Sequence, residues 1–315
     1  MKFDVSIIIV NYHTSSFLIN CINSIIRFTH GVSYEIIIVD NDSEPNLNEI
    51  LTQKVNKSVK HELHLIRMKQ NVGFGKANNE GAAKAHGRNL FFLNPDTELL
   101  NNAVKILSDF LDAHPICGAC GGNLYEHDNL PTLSFRRIMP GLFWECDQLL
   151  NEKLQGIRFG KNRTFNYTQK PISVGYITGA DLMIKHSVFK NLGGFDNNFF
   201  MYFEETHLCK KIRDSQLSIY NVPSAKIYHF ESASFKKTDN TYNISKIQYQ
   251  ERSRHIYYLK TRGHLYRFIA DKIYFLFLQS RILLTTDKRK KSFYKSRKEY
   301  HLTIKLDIAK QIEIV

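Results

Sequence analysis

The tripeptide Asn94-Pro95-Asp96 places a carboxylate directly after a strongly apolar run, residues 90–93. Because proline cannot donate to a sheet ladder, a strand over the apolar run should stop there. In open α/β sheets, ligands bind at the carboxyl ends of the strands. A carboxylate at that edge can hold a divalent cation, so Asp96 is a candidate ligand-binding residue.

Two earlier apolar runs also end in polar residues: Asn11 follows the first, and Asp40 and Asp42 follow the second. A carboxylate in such a position can accept hydrogen bonds from a ribose or a base. The alternative is that these residues cap the helices that come next. Capping would account for any one position, but three such positions at one sheet edge favour a ligand site.

A glycine-rich segment, residues 71–79, reads NVGFGKANN and contains Gly73, Lys76 and Asn78. Backbone N–H groups at a glycine-rich helix start can approach a diphosphate. The segment lacks the third glycine of a dinucleotide fingerprint and follows the third predicted strand, so an NAD site is not indicated. The alternative is a glycine turn with a surface lysine.

Two adjacent carboxylates, Glu204 and Glu205, open a predicted helix over residues 204–214. A positioned carboxylate can act as a general base toward a hydroxyl group. The alternative is that the helix macrodipole favours acidic residues in the first turn. Taken alone, the pair fits this second interpretation better.

The composition is that of a globular protein. A chain of 315 residues suffices for a full core, and the 43% hydrophobic content argues against global disorder. The five cysteines include one CxxC pair, Cys117 and Cys120, which favours reduced thiols over a disulfide scaffold or a zinc ribbon. No signal-peptide pattern opens the sequence, and no uncharged apolar run approaches the ~20 residues that span a bilayer.

The positive charge is concentrated near the C-terminus. Residues 245–300 hold 15 Lys+Arg against four Asp+Glu, which accounts for +11 of the formal net charge of +13. The alternatives are a helix that packs on the rest of the protein and an interfacial helix at an anionic membrane surface. The basic cluster at 287–298 favours the membrane, and without an RNA-binding motif no nucleic-acid partner is expected. The predicted helical stripe in 265–284 consists of Ile269, Ile273, Leu276, Phe277, Ser280 and Leu284.

Strand and helix patterns alternate through the first half of the chain, which predicts βαβ units and a mostly parallel sheet. After residue 118 the pattern loosens, and residues 125–170 are expected to be rich in loops. From about residue 245 the tail is predicted to be helical. The predicted strands are Val5–Val10, Tyr34–Val39, Glu62–Arg67, Asn89–Leu93, Ser218–Val222 and Lys226–Phe230. The predicted helices of the first half are Ser16–Phe28, Leu47–Val55, Lys76–His86 and Asn101–His114.

Six motifs resemble, in order and spacing, those of the family 2 inverting glycosyltransferases, and most closely the bacterial rhamnosyltransferase-like subgroup. They span residues 4–235 and read VSIIIVNYHT, IIIVDNDS, NVGFGKANNEG, FFLNPDTEL, GGFDNNFFMYFEETHLCKKIR and IYHFESAS. The resemblance implies an α/β fold of the GT-A type, Rossmann-like, with flanking helices and a basic, aromatic helical C-terminal tail. It also implies a nucleotide-diphosphate sugar as donor, with Mg²⁺ or Mn²⁺ on its diphosphate.

The resemblance further implies a division of the chain. The catalytic domain would cover residues 1–240, with the nucleotide-sugar part at about 1–124 and the acceptor part at about 125–240. The tail would cover residues 241–315.

Residue by residue, the resemblance assigns roles at the strand ends. Asp96 matches the metal-binding aspartate, and Asn94 the more variable position of the same motif. Asp40 matches a residue that contacts the nucleobase, and Asn11 lies in the nucleotide-contacting turn. His229 matches a late histidine near the metal or diphosphate, although a structural histidine is an equal alternative.

Glu205 matches the general base of the family, with Glu204 beside it. The family's usual residue there is aspartate, so the longer side chain of Glu205 requires a base set slightly back or a displaced acceptor. Asp181 and Trp144 are candidate acceptor-side residues, since Trp144 can stack on a sugar. The alternatives are a backbone partner for Asp181 and a core position for Trp144.

The leading hypothesis is an inverting glycosyltransferase that moves a sugar to a hydroxyl of a glycan or lipid-linked acceptor in bacterial cell-surface polysaccharide synthesis. The subgroup suggests rhamnose. We expect a cytoplasmic protein, peripheral on the inner face of the plasma membrane. A nucleotidyltransferase would need a basic N-terminal phosphate loop, and VNYHTSS has no Lys or Arg. A non-catalytic membrane- or nucleic-acid-binding protein is the remaining alternative.

Overall fold

The computed structural model describes residues 2–43, 47–48, 51, 63–230 and 244–312, with the backbone alone described for residues 127 and 305–312. The strands are β1 (Phe3–Asn11), β2 (Tyr34–Asp40), β3 (Leu63–Arg67), β4 (Gly87–Leu93), β5 (Thr97–Leu99), β6 (Cys117–Tyr125), β7 (Phe135–Arg136), β8 (Ile172–Ser173), β9 (Tyr176–Ile177), β10 (Asp181–Lys185) and β11 (Ser218–His229). The α-helices with described bounds are α1 (Ser15–Phe28), α2 (Phe74–Ala82), α3 (Ala103–Ala113), α4 (Leu142–Leu149), α5 (Lys153–Phe159), α6 (His186–Asn191), α7 (Glu204–Asp214), α8 (Ile244–Leu284) and α9 (Lys288–Ile312).

One nine-stranded sheet has the order β3-β2-β1-β4-β10-β6-β11-β5, with β8 beside β11. Strand β1 pairs in parallel with β2 and β4, β2 with β3, and β6 with β11. Strands β10 and β5 run antiparallel to their neighbours. The predicted mostly parallel sheet with flanking helices is confirmed, and its parallel strands bring the ends of β1, β2 and β4 to one edge.

The central strands are buried on both faces of the sheet. In β1, Ile7 and Ile9 join the apolar cluster beneath α1 and α3, and Ile8 joins the cluster beneath α6 and α7. A strand covered on both sides needs a continuous apolar run rather than alternation. The sequence has such runs at β1, β2 and β4, which is why these strands are predicted to within two residues.

Strand β6 lies in the middle of the sheet although its sequence, CGACGGNLY, gives a weak strand signal. Glycine has no side chain to pack and lowers strand propensity. Here it is required by close packing: a Cβ at Gly121 would lie 2.5 Å from Ile177, and one at Gly122 would lie 2.6 Å from the carbonyl oxygen of Ala225. The loosened pattern after residue 118 therefore reflects tight packing.

Two further predictions need correction. The predicted strands Ser218–Val222 and Lys226–Phe230 form one strand, β11, whose register shifts between Asn221 and Lys226, around a proline that cannot donate to the ladder. The loop-rich interpretation of 125–170 is wrong where α4 and α5 form, because helices of 8 and 7 residues offer too few periodic positions to read. The predicted helix Leu47–Val55 lies largely outside the described residues.

The C-terminal helices pack on the body through α8, which is interrupted at Gly263 with φ of 82°. Tyr257 and Tyr258 are fully buried against Phe199. The face of α8 that packs is largely polar, and the predicted apolar stripe is partly exposed, with Leu276 58% accessible. Across the part of the chain that the structure describes, no helix combines the length and apolarity that a bilayer crossing needs.

Candidate active site

The ends of β1 and β2 are joined by a buried hydrogen-bond network. Asn11 and Asp40 are register partners, and Asn11 Nδ2 donates to Asp40 Oδ1 at 3.3 Å and to Ser43 Oγ at 3.0 Å. Asn11 Oδ1 accepts from the hydroxyl of Thr14 at 2.9 Å. Asn11 therefore fixes the orientation of Asp40, whose other carboxylate oxygen lies 4.0 Å from Arg67 Nε.

The end of β4 brings Asp96 beside His229. His229 is the last residue of β11 and pairs with Thr97 of β5, so strand pairing sets the histidine next to the carboxylate. Asp96 Oδ1 lies 3.6 Å from His229 Nε2, and Asn94 Nδ2 lies 3.4 Å from the same nitrogen. Two of these residues are buried or nearly so, with the Asp96 carboxylate 9% and the His229 ring 13% accessible.

The glycine segment is tied to the end of β2 by two asparagines. Asn41 Nδ2 donates to Asn71 Oδ1 at 2.8 Å, and the backbone N–H of Val72 donates to Asn41 Oδ1 at 3.0 Å. Gly73 has φ of 86°, and a Cβ there would lie 2.3 Å from the carbonyl oxygen of Phe200. Gly73 thus allows the start of α2 to contact the loop before α7.

Five predicted nucleotide-binding residues do not line the cavity described below, and two of them, Asn11 and Asp40, are fully buried. Lys76 and Asp42 are exposed and do not line the cavity described below, and Asn78 is buried with its amide on the carbonyl of Phe74 within α2. The geometry gives Asn78 a helix-internal partner. Asp42, Lys76 and Asn78 therefore do not lie with Asp96 and Glu205 in the cavity lining.

The carboxylates Glu204 and Glu205 open α7 after two residues in the left-handed region, Tyr202 and Phe203, each with φ of 67°. Non-glycine residues held in that region cost about 1–3 kcal/mol each and cluster at functional sites. Glu204 is buried and packs on Gly75 of α2, with its Cβ 3.3 Å from where a Gly75 Cβ would be. Glu205 is half-buried, and its Oε1 accepts from the Thr206 hydroxyl at 3.1 Å.

The two carboxyls differ in their tendency to ionise. Burial, and after it the neighbouring Glu205, raises the pKa of Glu204 well above its ordinary value. Burial also raises the pKa of Glu205, against which backbone and Thr206 hydrogen bonds act. Two adjacent carboxylates in a desolvated site do not both ionise easily, so the pair favours one charged and one protonated member.

These groups share one cavity of about 740 Å³. Its lining includes Asn94, Asp96, His229, Glu204 and Glu205. A cavity of this size suits a ligand with several rings. The structure thus brings the Asp96–His229 pair and the Glu204–Glu205 pair to one site, although Asp96 and Glu205 are 109 residues apart in the sequence.

The C-terminal helices form the far wall of the cavity. Arg254 of α8 is buried and donates to Glu145 Oε1 at 3.0 Å and to Asp271 Oδ1 at 2.9 Å. Tyr258 donates its hydroxyl to the same Glu145 oxygen at 2.6 Å. Apart from Gln250, the tail residues of the wall are aromatic or cationic, namely Lys246, Arg254, Tyr258, Tyr274, Phe277, Phe293, Tyr294 and Arg297.

The two predicted acceptor-side residues differ in position. Trp144 lies on α4 and lines the cavity, with the Arg136 guanidinium 5.0 Å from its ring centroid. Asp181 begins β10, is fully buried outside the lining, and accepts from the Gly122 N–H at 2.5 Å. This backbone partner is the alternative that the sequence left open for Asp181.

Several lining residues were missed in the sequence. Asn41 and Asn71 stand inside the motifs IIIVDNDS and NVGFGKANNEG, so motif membership could have found them. Arg136 and the tail aromatics carry no local signal. Their positions follow only from how β7, α8 and α9 pack.

The residues at the strand edge fit a divalent cation. A carboxylate oxygen, Asp96 Oδ1, and an imidazole nitrogen, His229 Nε2, face each other at 3.6 Å. Carboxylate oxygen and imidazole nitrogen are both ligands of Mn²⁺-type ions. With two protein ligands, a bound cation keeps positions for diphosphate oxygens and water, as Mg²⁺ sites usually do.

The family model "Glycosyl transferase family 2" matches residues 6–193. The N-acetylglucosaminyl-diphospho-decaprenol L-rhamnosyltransferase of Mycobacterium tuberculosis is 24% identical over 222 residues, 63% of this chain and 67% of that protein. The dTDP-rhamnosyl transferase RfbF of Shigella flexneri is 22% identical over 304 residues, 87% of this chain and 94% of that protein.

Among solved structures, GalNAc-T7 with UDP, GalNAc and Mn²⁺ resembles the chain with a TM-score of 0.63 at 17% identity. The match covers 98% of this chain and 57% of that one, so this chain spans little more than half of that protein. At this identity the likeness concerns the fold.

Proposed function

The chain belongs to glycosyl transferase family 2 and has a GT-A fold, and we propose that it is a metal-dependent, inverting glycosyltransferase. It moves a sugar from a nucleotide-diphosphate donor to a hydroxyl of a glycan or lipid-linked acceptor. The pathway is bacterial cell-surface polysaccharide synthesis. One observation carries the proposal: the Asp96–His229 pair and Glu205 line one cavity.

On the donor side, Asp96 and His229 would hold Mg²⁺ or Mn²⁺, and Asn94 lies beside them, with its Nδ2 3.4 Å from His229 Nε2. The cation, when bound, neutralises the diphosphate as it departs with the nucleotide. Asn11 and Asp40 are fully buried outside the cavity lining, so their part is to hold the ends of β1 and β2 beside the nucleobase or ribose. Asn41 and Asn71 hold the backbone start of α2 beside the diphosphate.

On the acceptor side, Glu205 takes the proton from the attacking hydroxyl. Its raised pKa places it nearer to neutral pH, where a general base works best. Glu204 stays protonated beside it, since its pKa is raised further by burial and by Glu205. A neutral Glu204 lets Glu205 carry the single negative charge of the pair.

The acceptor lies against the aromatic and cationic wall. Aromatic rings such as Trp144 and Phe277 can stack on sugar rings, and the ammonium group of Lys246 in the same lining can attract phosphate oxygens. A saccharide on a lipid diphosphate presents both groups. The name of the mycobacterial relative, whose substrate carries a diphospho-decaprenol, supports this acceptor class, and both relatives' names support rhamnose as the sugar.

The tail meets an anionic membrane. Leu265, Ile269, Leu276 and Leu283 are exposed and lie on one face of α8, because they recur at spacings of four and seven residues. The basic run Lys288–Lys291 begins the next helix. An apolar stripe flanked by lysine and arginine is the pattern of an interfacial helix at anionic lipid.

The function is tested by incubating the full chain with Mn²⁺, a panel of nucleotide sugars that includes dTDP-rhamnose, and a polyprenyl-diphosphate-linked saccharide. We expect release of nucleotide diphosphate from one donor only, and only when acceptor is present. Binding of nucleotide diphosphates without any turnover across donors and acceptors would contradict an enzymatic role. Transfer of a nucleotidyl group instead of a sugar would contradict the reaction class.

A further inference from the structure

A buried cluster of two histidines and two carboxylates lies in the tail, apart from the cavity described above. Glu251 and His255 stand four residues apart in the first half of α8, Asp271 lies beyond the break at Gly263, and His301 lies on α9. All four are at most 1% accessible. The cluster therefore joins three helical segments that are separated in sequence.

The distances in this cluster suit metal ligands better than hydrogen bonds. His255 Nδ1 lies 3.4 Å from Asp271 Oδ2, and His301 Nδ1 lies 3.4 Å from Glu251 Oε2. In a tetrahedral zinc site with bonds near 2.0–2.1 Å, neighbouring ligand atoms are about 3.3 Å apart. One ligand atom each from His255, Asp271 and His301 lies within 4.8 Å of the others.

The carboxylate oxygens and ring nitrogens that face one another in this cluster make no hydrogen bond to any other group in the described part of the chain. Glu251 Oε2, Asp271 Oδ2, both ring nitrogens of His255 and Nδ1 of His301 are buried there without a hydrogen-bond partner. Buried polar groups of this kind are rare, since each costs about 1–3 kcal/mol when left unpaired. Here the atoms face one another as two histidine–carboxylate pairs at 3.4 Å, and a cation between them would be a partner for all of them.

The other oxygen of each carboxylate is already bound. Arg254 Nη1 donates to Asp271 Oδ1 at 2.9 Å, and Arg297 Nε donates to Glu251 Oε1 at 2.8 Å. These bonds leave Oδ2 and Oε2 turned toward the histidines. Metal-binding carboxylates are commonly held in this way by a hydrogen bond to their second oxygen.

We propose that His255, Asp271 and His301 bind a divalent transition metal, best matched by Zn²⁺, that holds the C-terminal helices together, with Glu251 beside His301 as the fourth ligand. Two imidazoles and one carboxylate supply three ligand atoms close to one another, and Glu251 Oε2, 3.4 Å from His301 Nδ1, would complete the four-ligand set of a structural zinc site. Imidazole nitrogen selects such an ion over Mg²⁺ or Ca²⁺, which prefer oxygen ligands. The ion supports the cavity wall, because Arg254 links Asp271 to Glu145 of α4.

The test uses untagged full-length protein, dialysed and analysed for metal content. We expect about one Zn²⁺ per chain, loss of that ion on treatment with a strong chelator, and a fall in melting temperature of several degrees that Zn²⁺ reverses. Co²⁺ added to the stripped protein should give the visible absorption of a tetrahedral site. His301→Gln and His255→Gln should each lose both the ion and the sensitivity to chelator.

Two matched variants separate this site from others. His264→Gln changes an exposed histidine on the same helix and should keep the ion. Asp96→Asn alters the proposed donor-site cation and should also keep it. A protein that carries no metal as purified, fails to take up Zn²⁺ or Co²⁺ and melts at the same temperature with chelator overturns the proposal. Chelator-insensitive stability that instead follows histidine protonation would overturn it equally.

Discussion

Tyr202 and Phe203 hold left-handed backbone conformations immediately before the two carboxylates, and this local geometry turns the start of α7 into the cavity. The general-base proposal depends on which carboxylate ionises there. Glu205 is the more accessible of the two, and burial raises the pKa of Glu204 further above its ordinary range. Because Glu205 ionises more readily than Glu204, we assign the role of general base to Glu205.

Glu205→Gln removes the base while keeping the size of the side chain. We expect the chemical step to slow about 10²–10⁴-fold, with donor binding nearly unchanged. Glu205→Asp, which restores the family's usual residue, should still be impaired on the order of 10²-fold because a misplacement near 1 Å is costly. Single-turnover rates at saturating donor measure both. Near-native chemistry in Glu205→Gln would move the search for the base elsewhere.

The pH dependence follows from the raised pKa of Glu205. Activity requires the carboxylate, so the rate should fall as pH drops through the folded-state pKa, which lies above the ordinary value of about 4.3. Glu204→Gln imitates a protonated Glu204, so the pH at which the rate falls on the acidic side should stay almost the same in this variant. The check is a pH–rate profile of both proteins, in which abolition of activity by Glu204→Gln would contradict the assignment.

The same variant makes a prediction about stability. A carboxyl whose folded-state pKa is raised stabilises the fold fully below its unfolded pKa, and that stabilisation is lost as pH rises through the folded pKa. Glu204→Gln has no such proton to lose. Its free energy of unfolding relative to the native protein should therefore increase from acidic to alkaline pH. Denaturant titrations at several pH values measure this, and an unchanged difference would place the Glu204 pKa in its ordinary range.

At the scale of elements, α2 and the loop before α7 approach so closely that only glycine fits at position 73. The N–H of Phe74 donates to the carbonyl of Phe200 at 2.9 Å, and a Cβ on Gly73 would collide with that oxygen. The contact couples the donor-side segment to the acidic pair. It explains why a glycine-rich segment stands after the third strand without being a dinucleotide site.

Gly73→Ala should destabilise the protein by about 1–3 kcal/mol, since it adds a clash to a left-handed conformation. It should also weaken nucleotide binding, because the start of α2 must move. Gly156→Ala is the matched control: nothing lies within 4 Å of its Cβ position, and it sits inside α5, where alanine favours the helix. Thermal denaturation compares them. Equal melting temperatures for the two variants would contradict the close approach.

The elements that could be predicted are those whose signal is local. Strands such as β2 and β4 are recognisable in the sequence as β-branched or aromatic runs. Asp96 is recognisable as the carboxylate that follows one of these runs. Strand β6 could not be predicted, because its glycines are required by neighbours distant in sequence. The pairing of Arg254 with Glu145 spans 109 residues and likewise has no local signal.

At the scale of the whole molecule, α8 of the tail has a polar face that packs on the body and an exposed apolar face that we assign to membrane binding. The polar face of α8 is buried, so removal of the tail would expose Phe199 and leave Glu145 without its arginine. A deletion would therefore test folding more than membrane binding. Substitutions on the exposed stripe are the better probe.

Leu265→Glu combined with Leu276→Glu should reduce co-sedimentation with phosphatidylglycerol vesicles several-fold at low salt. Stability should change by less than about 0.5 kcal/mol per site, since both side chains are exposed. Ile157→Glu, at an exposed apolar residue of α5 outside the stripe, controls for added charge. Vesicle binding that is equal in all three proteins would contradict a membrane role for this face.

The central claim is that Asp96 and His229 hold the cation of the donor while Glu205 acts only on the acceptor. Calorimetric titration of a nucleotide diphosphate, with and without Mn²⁺, tests it most directly in the native protein, Asp96→Asn and Glu205→Gln. We predict that Mn²⁺ strengthens binding to the native protein and to Glu205→Gln, and has no such effect on Asp96→Asn. Mn²⁺-dependent binding of native affinity in Asp96→Asn would contradict the account.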